Sequence, residues 1–183
     1  YDALWLLGTV ENLLAVTRME DGRMTLHLRP ELMSEVISEA MERTEKYAGG
    51  RQITAQQEDD LLMARIDARL IVQVIVNLID NALKSTPEGT TIRVCARAEG
   101  GQVIVSVADD GPGIPQEAKQ RVFEMFYTTA KGTSDGRRGL GLGLALCRSI
   151  ISAHGGSIRV ADNAPHGAVF TFTLQEERIK CHG

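Results

Sequence analysis

Cysteine, excess basic charge and long apolar runs are all scarce in this chain of 183 residues. Its three cysteines are widely spaced and form no CxxC or His/Cys cluster typical of zinc sites. Cys95 and Cys147 lie in apolar segments, which favours buried free thiols of a reducing compartment. The net charge of −4 argues against nonspecific nucleic-acid binding, which depends on neutralising phosphates. No apolar run reaches the roughly 18 residues of a membrane span.

Several common catalytic and phosphate-binding patterns are also missing. No Ser/His/Asp or Cys/His constellation stands out, and His154 is expected at a helix C-terminus in a capping or dipole role. The glycine-rich segment lacks the Gly-Lys-Ser/Thr ending of a Walker A loop. It also fails the G-x-G-x-x-G dinucleotide pattern, because Leu144 and Leu146 occupy the last glycine position in either register.

Helical and strand-like patterns alternate along the chain, and no repeat interrupts them. The patterns predict helices over 3–20, 31–48, 68–85, 115–122 and 140–153. They predict strands over 24–28, 53–57, 61–66, 91–98, 103–108, 157–161 and 169–174. Pro30 is expected in the first turn of the second helix, 53–57 and 61–66 as a hairpin, and Asp67 as the cap of the third helix. With a second hairpin around Gly100-Gly101, this order predicts an α/β two-layer sandwich.

The helix over 68–85 carries a polar stripe as well as an apolar face. Asn77, Asn81 and Lys84 are spaced i, i+4, i+7 and therefore share one side of the helix. Amide oxygens one turn apart can coordinate Mg²⁺, and a lysine beyond them can neutralise phosphate. A solvated polar stripe is the alternative, although two asparagines are poor helix formers and require a reason.

A tight glycine turn follows the strand over 103–108. Asp109 directly precedes the turn Asp110-Gly111-Pro112-Gly113-Ile114. Its carboxylate could accept a hydrogen bond there from an exocyclic amine such as adenine N6. Glycines there would let the backbone approach a ring closely. An ordinary Asp-Gly turn is the alternative.

The polar, glycine-containing segment over 127–138 is expected to be a mobile loop. It leads into Gly139-Leu140-Gly141-Leu142-Gly143-Leu144, which opens a helix and could offer backbone N–H groups to phosphates. Arg137 and Arg138 could reach phosphate oxygens or remain solvated.

Together, in this order, the segments resemble the catalytic ATP-binding domain of sensor histidine kinases, within the family shared with gyrase, the Hsp90 chaperones and mismatch-repair ATPases. Residues 77–84 resemble the N box, 109–113 the G1 box, 123–126 the F box and 139–144 the G2 box. The segment 166–170 resembles the last, weaker glycine segment. The resemblance covers roughly residues 24–175, and residues 2–21 resemble the end of a dimerisation and phosphoacceptor helix.

The resemblance implies a Bergerat-type fold, a mixed and mostly antiparallel sheet backed by three helices, with ATP and Mg²⁺ bound under a lid over about 115–138. By position, Asn77 and Asn81 would hold Mg²⁺, Asn77 and Lys84 would serve catalysis, and Asp109 would bind the adenine amine. The remaining implied nucleotide-binding residues are Gly111, Gly113, Ile114, Phe126, Arg137, Arg138, Gly139, Leu140, Gly141, Leu142, Gly143 and Leu144. The implied domains are 1–22 for the dimerisation helix end, 23–175 for the ATP-binding domain and 176–183 for a tail.

Position 77 separates a kinase from an ATPase. The ATPases of this family carry Glu there to activate water, whereas Asn is no general base at neutral pH. The sequence therefore favours transfer of the γ-phosphate to another nucleophile over hydrolysis. Ser85 stands where an aromatic often follows the N-box lysine. No His followed by an acidic residue lies on a dimerisation helix, so we expect Mg·ATP binding without autophosphorylation.

Starting at Tyr1, the chain reads as a fragment of a longer protein. The resemblance implies a cytoplasmic, monomeric fragment of a homodimeric parent attached to the inner membrane. A histidine-bearing dimerisation domain and a downstream response regulator would be its partners. Two alternatives stay open at this point: a degenerate nucleotide-binding interaction module, and a protein-serine kinase of the anti-sigma type, which usually has Glu at position 77.

Overall fold

The structure is a computed structural model that describes residues 2–22, 25–125, 127 and 142–179. Its helices are α1 (Asp2–Glu20), α2 (Met33–Glu45), α3 (Ala68–Ser85), α4 (Gln116–Lys119) and α5 (Gly143–Ala153). Its strands are β1 (Arg29–Leu32), β2 (Gln52–Gln57), β3 (Met63–Ile66), β4 (Thr91–Glu99), β5 (Gln102–Asp109), β6 (Ile158–Asp162) and β7 (Ala168–Gln175).

Five of these strands form the main sheet, in the order β2-β4-β5-β7-β6. Strands β2 and β4 are parallel, and the other three neighbouring pairs are antiparallel. Side chains alternate between buried and half-buried along most of β5 and β7, as expected when only one face of a sheet packs under helices. The expected mixed, mostly antiparallel sheet is confirmed.

Three helices cover that sheet, with α3 packed between α2 and α5. The α3 sequence forms this central helix because its apolar residues recur at helical spacing, and nine of its eighteen residues are buried. Each large aliphatic side chain buried in this way contributes roughly 1.5–3 kcal/mol to folding. Helix α1 lies outside this layer, packs on α5 and buries Val16 against the core. No helix among the described residues is long and apolar enough to cross a membrane.

Two expectations about strand pairing are wrong. The segments over 53–57 and 61–66 do not form a hairpin, because β2 pairs with β4 and β3 pairs with β1. A parallel pair needs a long crossover connection, and β3 and α3 together provide it between β2 and β4. The first strand lies at Arg29–Leu32, later than expected, and contains Pro30. Proline is tolerated there because, within the described residues, β1 pairs with β3 alone.

The chain continues to form hydrogen bonds beyond β7. Glu176 forms an isolated bridge with Ala64, and the Glu177 N–H donates to the Met63 carbonyl at 2.9 Å. The segment expected as a tail therefore begins along β3, and its last residues, 180–183, lie outside the described residues.

Candidate functional site

Helix α3 carries the three polar residues that the sequence singled out. The expected apolar face packs on the core, with Val76 partly buried and the other four residues buried: Val72, Ile75, Ile79 and Leu83. Asn77 and Asn81 are half-buried and Lys84 is exposed. The asparagines thus lie at the border between the packed face and solvent, where a side chain can contact a ligand and still be held by the fold.

The Asn77 amide lies against the thiol of Cys147 on α5. Its Nδ2 is buried and forms no hydrogen bond with any described residue. Burial raises the pKa of the Cys147 thiol to about 12, and the neighbouring Asn77 side chain opposes that shift. The thiol itself donates to the Val74 carbonyl at 3.7 Å. Cys147 therefore stays protonated at neutral pH and cannot act as a base beside Asn77.

Helices α3 and α5 run antiparallel. The Asp67 N–H at the start of α3 donates to His154 Nε2 at the end of α5, at 3.1 Å, and Cys147 contacts Val74 further along. Continuing this register places Gly143, in the first turn of α5, beside Leu78 of α3, between Asn77 and Asn81. A helix N-terminus with its free N–H groups is an anion-binding element, and here it lies next to the two asparagines.

His154 and Asp67 explain how that antiparallel pair is held. His154 Nδ1 pairs with the Ile150 carbonyl at 2.7 Å, which matches the expected role at the helix C-terminus. The bond from Asp67 to Nε2 was not foreseen, because it joins residues far apart in sequence. Asp67 occupies the N-cap position of α3, but its carboxylate accepts the His27 N–H at 3.2 Å instead of capping the helix.

The glycine turn after β5 holds Asp109 in a defined orientation. Asp109 is 7% exposed, and its Oδ1 accepts the Gly111 N–H at 3.0 Å and the Ala168 N–H at 3.4 Å. No described residue donates to Oδ2. The carboxylate is therefore oriented by two backbone donors and keeps one oxygen available for a further donor.

Two positions of this region require glycine because neighbouring atoms lie where a Cβ would be. A Cβ at Gly111 would lie 2.5 Å from Thr86 Cγ2, just past the end of α3. A Cβ at Gly113, whose φ is +79°, would lie 3.1 Å from the Gly167 carbonyl oxygen. The turn is thus pressed between the C-terminus of α3 and the β6–β7 connection, and this brings Asp109 to the same end of the molecule as Asn81.

Lys84 is ion-paired on its own helix. Its Nζ lies 2.8 Å from Asp80 Oδ2, and the two side chains are 38% and 46% exposed. An exposed pair of this kind contributes little to stability and exchanges partners at low cost. Asp80 was not identified from the sequence, although its i, i+4 spacing to Lys84 was a usable signal.

The apolar residues expected at the site have a packing role in this structure. Leu142 is 3% exposed, and Ile114 and Leu144 are partly buried against the core. Gly143 begins α5. A cavity of about 510 Å³ adjoins the turn and is lined by Pro87, Asp110, Gly111, Pro112 and His166. Of the lid expected over about 115–138, residues 126 and 128–138 lie outside the described residues, as do the site residues Phe126, Arg137, Arg138, Gly139, Leu140 and Gly141.

Comparisons with known proteins identify the class of this fold and site. A model of the histidine kinase-, DNA gyrase B-, and HSP90-like ATPase family matches residues 66–178. The chain belongs to this family, and its domain is the catalytic ATPase module of sensor histidine kinases.

Among curated proteins, the chain is 39% identical over 176 residues to the sensor protein KdpD of Clostridium acetobutylicum, covering 96% of this chain and 20% of that protein. The chain thus spans about a fifth of the length of this relative.

Two solved kinases have the same fold. Full-length ShkA in complex with AMPPNP is 29% identical, with a TM-score of 0.83, over 95% of this chain and 36% of that one. Histidine kinase ThkA in complex with the response regulator TrrA is 28% identical, with a TM-score of 0.73, over 93% of this chain and 48% of that one.

Proposed function

We propose that this domain binds Mg·ATP in the cleft between α3, the Asp109 turn and the N-terminus of α5. The proposal is carried by three elements from distant parts of the sequence, which the close approach of Gly111 to Thr86 and the contacts between α3 and α5 bring together: a half-buried amide pair, an oriented carboxylate and a helix N-terminus. These are suited to a hard cation, a purine amine and a phosphate chain, respectively. The AMPPNP bound to ShkA supports the same ligand class.

Asn77 and Asn81 would hold Mg²⁺ through their amide oxygens. The fit is supported by Asn77, whose nitrogen is the buried amide atom, so that its oxygen is left to face a ligand. The metal would supply neutralisation of phosphate charge. Lys84 would exchange Asp80 for a phosphate oxygen, and the segment 137–144 would line the phosphates with backbone N–H groups. Gly111, Gly113 and Ile114 would border the base that Asp109 recognises.

The same site favours phosphoryl transfer over hydrolysis. Position 77 itself is an amide, which is no general base, and the neighbouring Cys147 thiol is protonated at neutral pH. We propose that the γ-phosphate passes to a histidine on a dimerisation domain and that this histidine lies outside residues 1–183. Residues 1–22 would be the end of that domain's helix, 23–175 the ATP-binding domain and 176–183 a tail.

The exposed side of α1 supports this assignment. Leu7, Val10, Leu13 and Leu14 are between 38% and 54% exposed, which is unusual for a helix without a further partner. A response regulator would act downstream, as the ThkA–TrrA complex suggests for a protein of this family. Homodimerisation and membrane attachment of the parent remain predictions.

Calorimetric titration with AMPPNP tests the binding step. We expect binding that requires Mg²⁺ and is weakened by Asn81→Ala, while the matched variant Asn12→Ala, which lies on α1, leaves it unchanged. Binding that ignores both Mg²⁺ and Asn81 would contradict the proposal.

Labelling with γ-labelled ATP tests the transfer step. We expect no acid-labile label on this chain alone and label on histidine when the parent's dimerisation domain is added. Label on serine would favour the anti-sigma type of kinase instead.

A further inference from the structure

The turn that holds Asp109 is supported from outside by the loop between β6 and β7, residues 163–167. Asn163 Nδ2 donates to the backbone carbonyl of Asp109 at 2.8 Å, across 54 positions of sequence. The Asn163 N–H donates to the Gly167 carbonyl at 3.0 Å, which closes the loop on itself. His166 Nδ1 also lies 3.1 Å from the Gly111 carbonyl oxygen. The loop thus contacts both ends of the Asp109–Gly111 segment.

The orientation of the Asn163 amide is determined by its own contacts. Its Oδ1 accepts the Ala164 N–H at 3.0 Å, so its Nδ2 is the atom that must face Asp109. This amide has one favourable orientation. If its oxygen and nitrogen were exchanged, its NH₂ group would face the Ala164 N–H and its oxygen would face the Asp109 carbonyl oxygen.

The loop backbone also packs directly against the Asp109 peptide. A Cβ on Gly167 would lie 1.9 Å from the Asp109 carbonyl oxygen and 3.0 Å from Asp110 Cα, so the loop backbone touches the peptide that follows Asp109. The Ala168 N–H, one residue further on, reaches the Asp109 carboxylate itself. The loop and the first residue of β7 therefore contact the peptide and the side chain of the same residue, so a shift of the loop would change the direction of the carboxylate.

We propose that Asn163 is a positioning residue for base recognition: by holding the Asp109 carbonyl, it aims the carboxylate at the purine 6-amine. The inference rests on the proposed function, because it assumes that Asp109 meets the base. Asn163 itself need not touch the nucleotide. Its effect is on which base the site prefers.

Comparing two nucleotides that differ only in the 6-amino group distinguishes this positioning role from a general contribution to folding. The full chain is titrated with AMPPNP and with its analogue that lacks the 6-amino group, in Mg²⁺. In the unaltered chain we expect roughly tenfold or greater preference for the amino form, the value of one hydrogen bond to a charged group. In Asn163→Ala we expect that preference to fall to about threefold or less, with the deamino analogue bound almost as before.

Two further variants control the result. Asn163→Asp keeps the acceptor for Ala164 but replaces the donor, and we expect it to lose the preference as well. Thr173→Val removes the hydrogen bond from the Ser157 N–H at the other end of the β6–β7 hairpin, and we expect full preference. Unfolding curves establish that each variant is folded under the conditions of the titration.

Each outcome decides a different claim. Equal weakening of both nucleotides by Asn163→Ala, or an unchanged preference, would overturn the positioning role while leaving nucleotide binding intact. Failure of the unaltered chain to bind either nucleotide would refute the proposed function, and with it this inference.

Discussion

Replacing Asp109 by asparagine is a nearly isosteric change whose consequence can be derived from the structure. The Gly111 and Ala168 N–H groups both point at Oδ1, at 3.0 and 3.4 Å. In Asp109→Asn the amide oxygen must take that position, because an NH₂ group would oppose two donors. The NH₂ group then occupies the position of Oδ2 and faces the base.

The base preference should therefore change. A purine 6-amine would meet a donor instead of a carboxylate and would lose a charged hydrogen bond, about 1.5–3 kcal/mol or roughly 10- to 150-fold in affinity. A 6-oxo purine would gain a donor for its O6 atom. Because Asp109 is only 7% exposed, water offers little compensation for the unpaired groups. We expect the ratio of affinities for adenine and hypoxanthine nucleotides to fall by at least tenfold.

Calorimetric titration with AMPPNP and its inosine counterpart, each with Mg²⁺, measures this ratio. Unfolding midpoints for both chains show whether the turn is intact. An equal loss for the two nucleotides would mean that Asp109 acts only through the turn, and no loss for either would place the base elsewhere.

Three further changes test separate features. Burial raises the pKa of Cys147 from 9.0 to about 12, so the stability that its neutral thiol contributes is present below pH 9.0 and is lost as the pH rises towards 12. Urea unfolding should therefore show roughly 1 kcal/mol more loss of stability between about pH 8 and pH 10 in the unaltered chain than in Cys147→Val. Gly167→Ala should destabilise by at least about 2 kcal/mol more than Gly155→Ala, since both have positive φ but only the former meets backbone. Asp80→Asn should strengthen AMPPNP binding about two- to fivefold by freeing Lys84 and removing a repulsive charge.

The controls for these changes lie elsewhere in the chain. Glu39→Gln frees Arg43 in an equivalent exposed pair on α2 and should leave nucleotide binding unchanged. Weaker binding by Asp80→Asn would instead indicate that Asp80 contacts the metal. Parallel pH curves for the unaltered chain and Cys147→Val, or equal destabilisation by the two glycine variants, would contradict the corresponding arguments.

Local pattern predicted much of the fold. The bounds of α3 match the expected 68–85, because a clear apolar period and a break at Pro87 are both local signals. The hairpin of β4 and β5 was predicted from Gly100 and Gly101, whose φ values of +60° and +80° are those that glycine adopts readily. The pairing of β2 was missed because its partner lies beyond an intervening helix.

The contacts within the site were less accessible to sequence reasoning. Asp109 and Asn81 could be identified as chemical groups, but their supports could not. The sequence around Cys147 predicts only a buried thiol, and no local pattern singles out Asn163. Neither has a neighbour in sequence that reveals its contact, since the partners lie 70 and 54 positions away.

The sequence by itself determined which chemical groups are available: an amide at position 77, an acid at a glycine turn, and a glycine-rich start to a helix. Only the tertiary structure decided that α5 runs antiparallel to α3 and that the β6–β7 loop supports the Asp109 turn. The physical reason is that residue type and the spacing of apolar residues determine the local backbone conformation. Contacts between distant segments depend instead on how complete surfaces pack together.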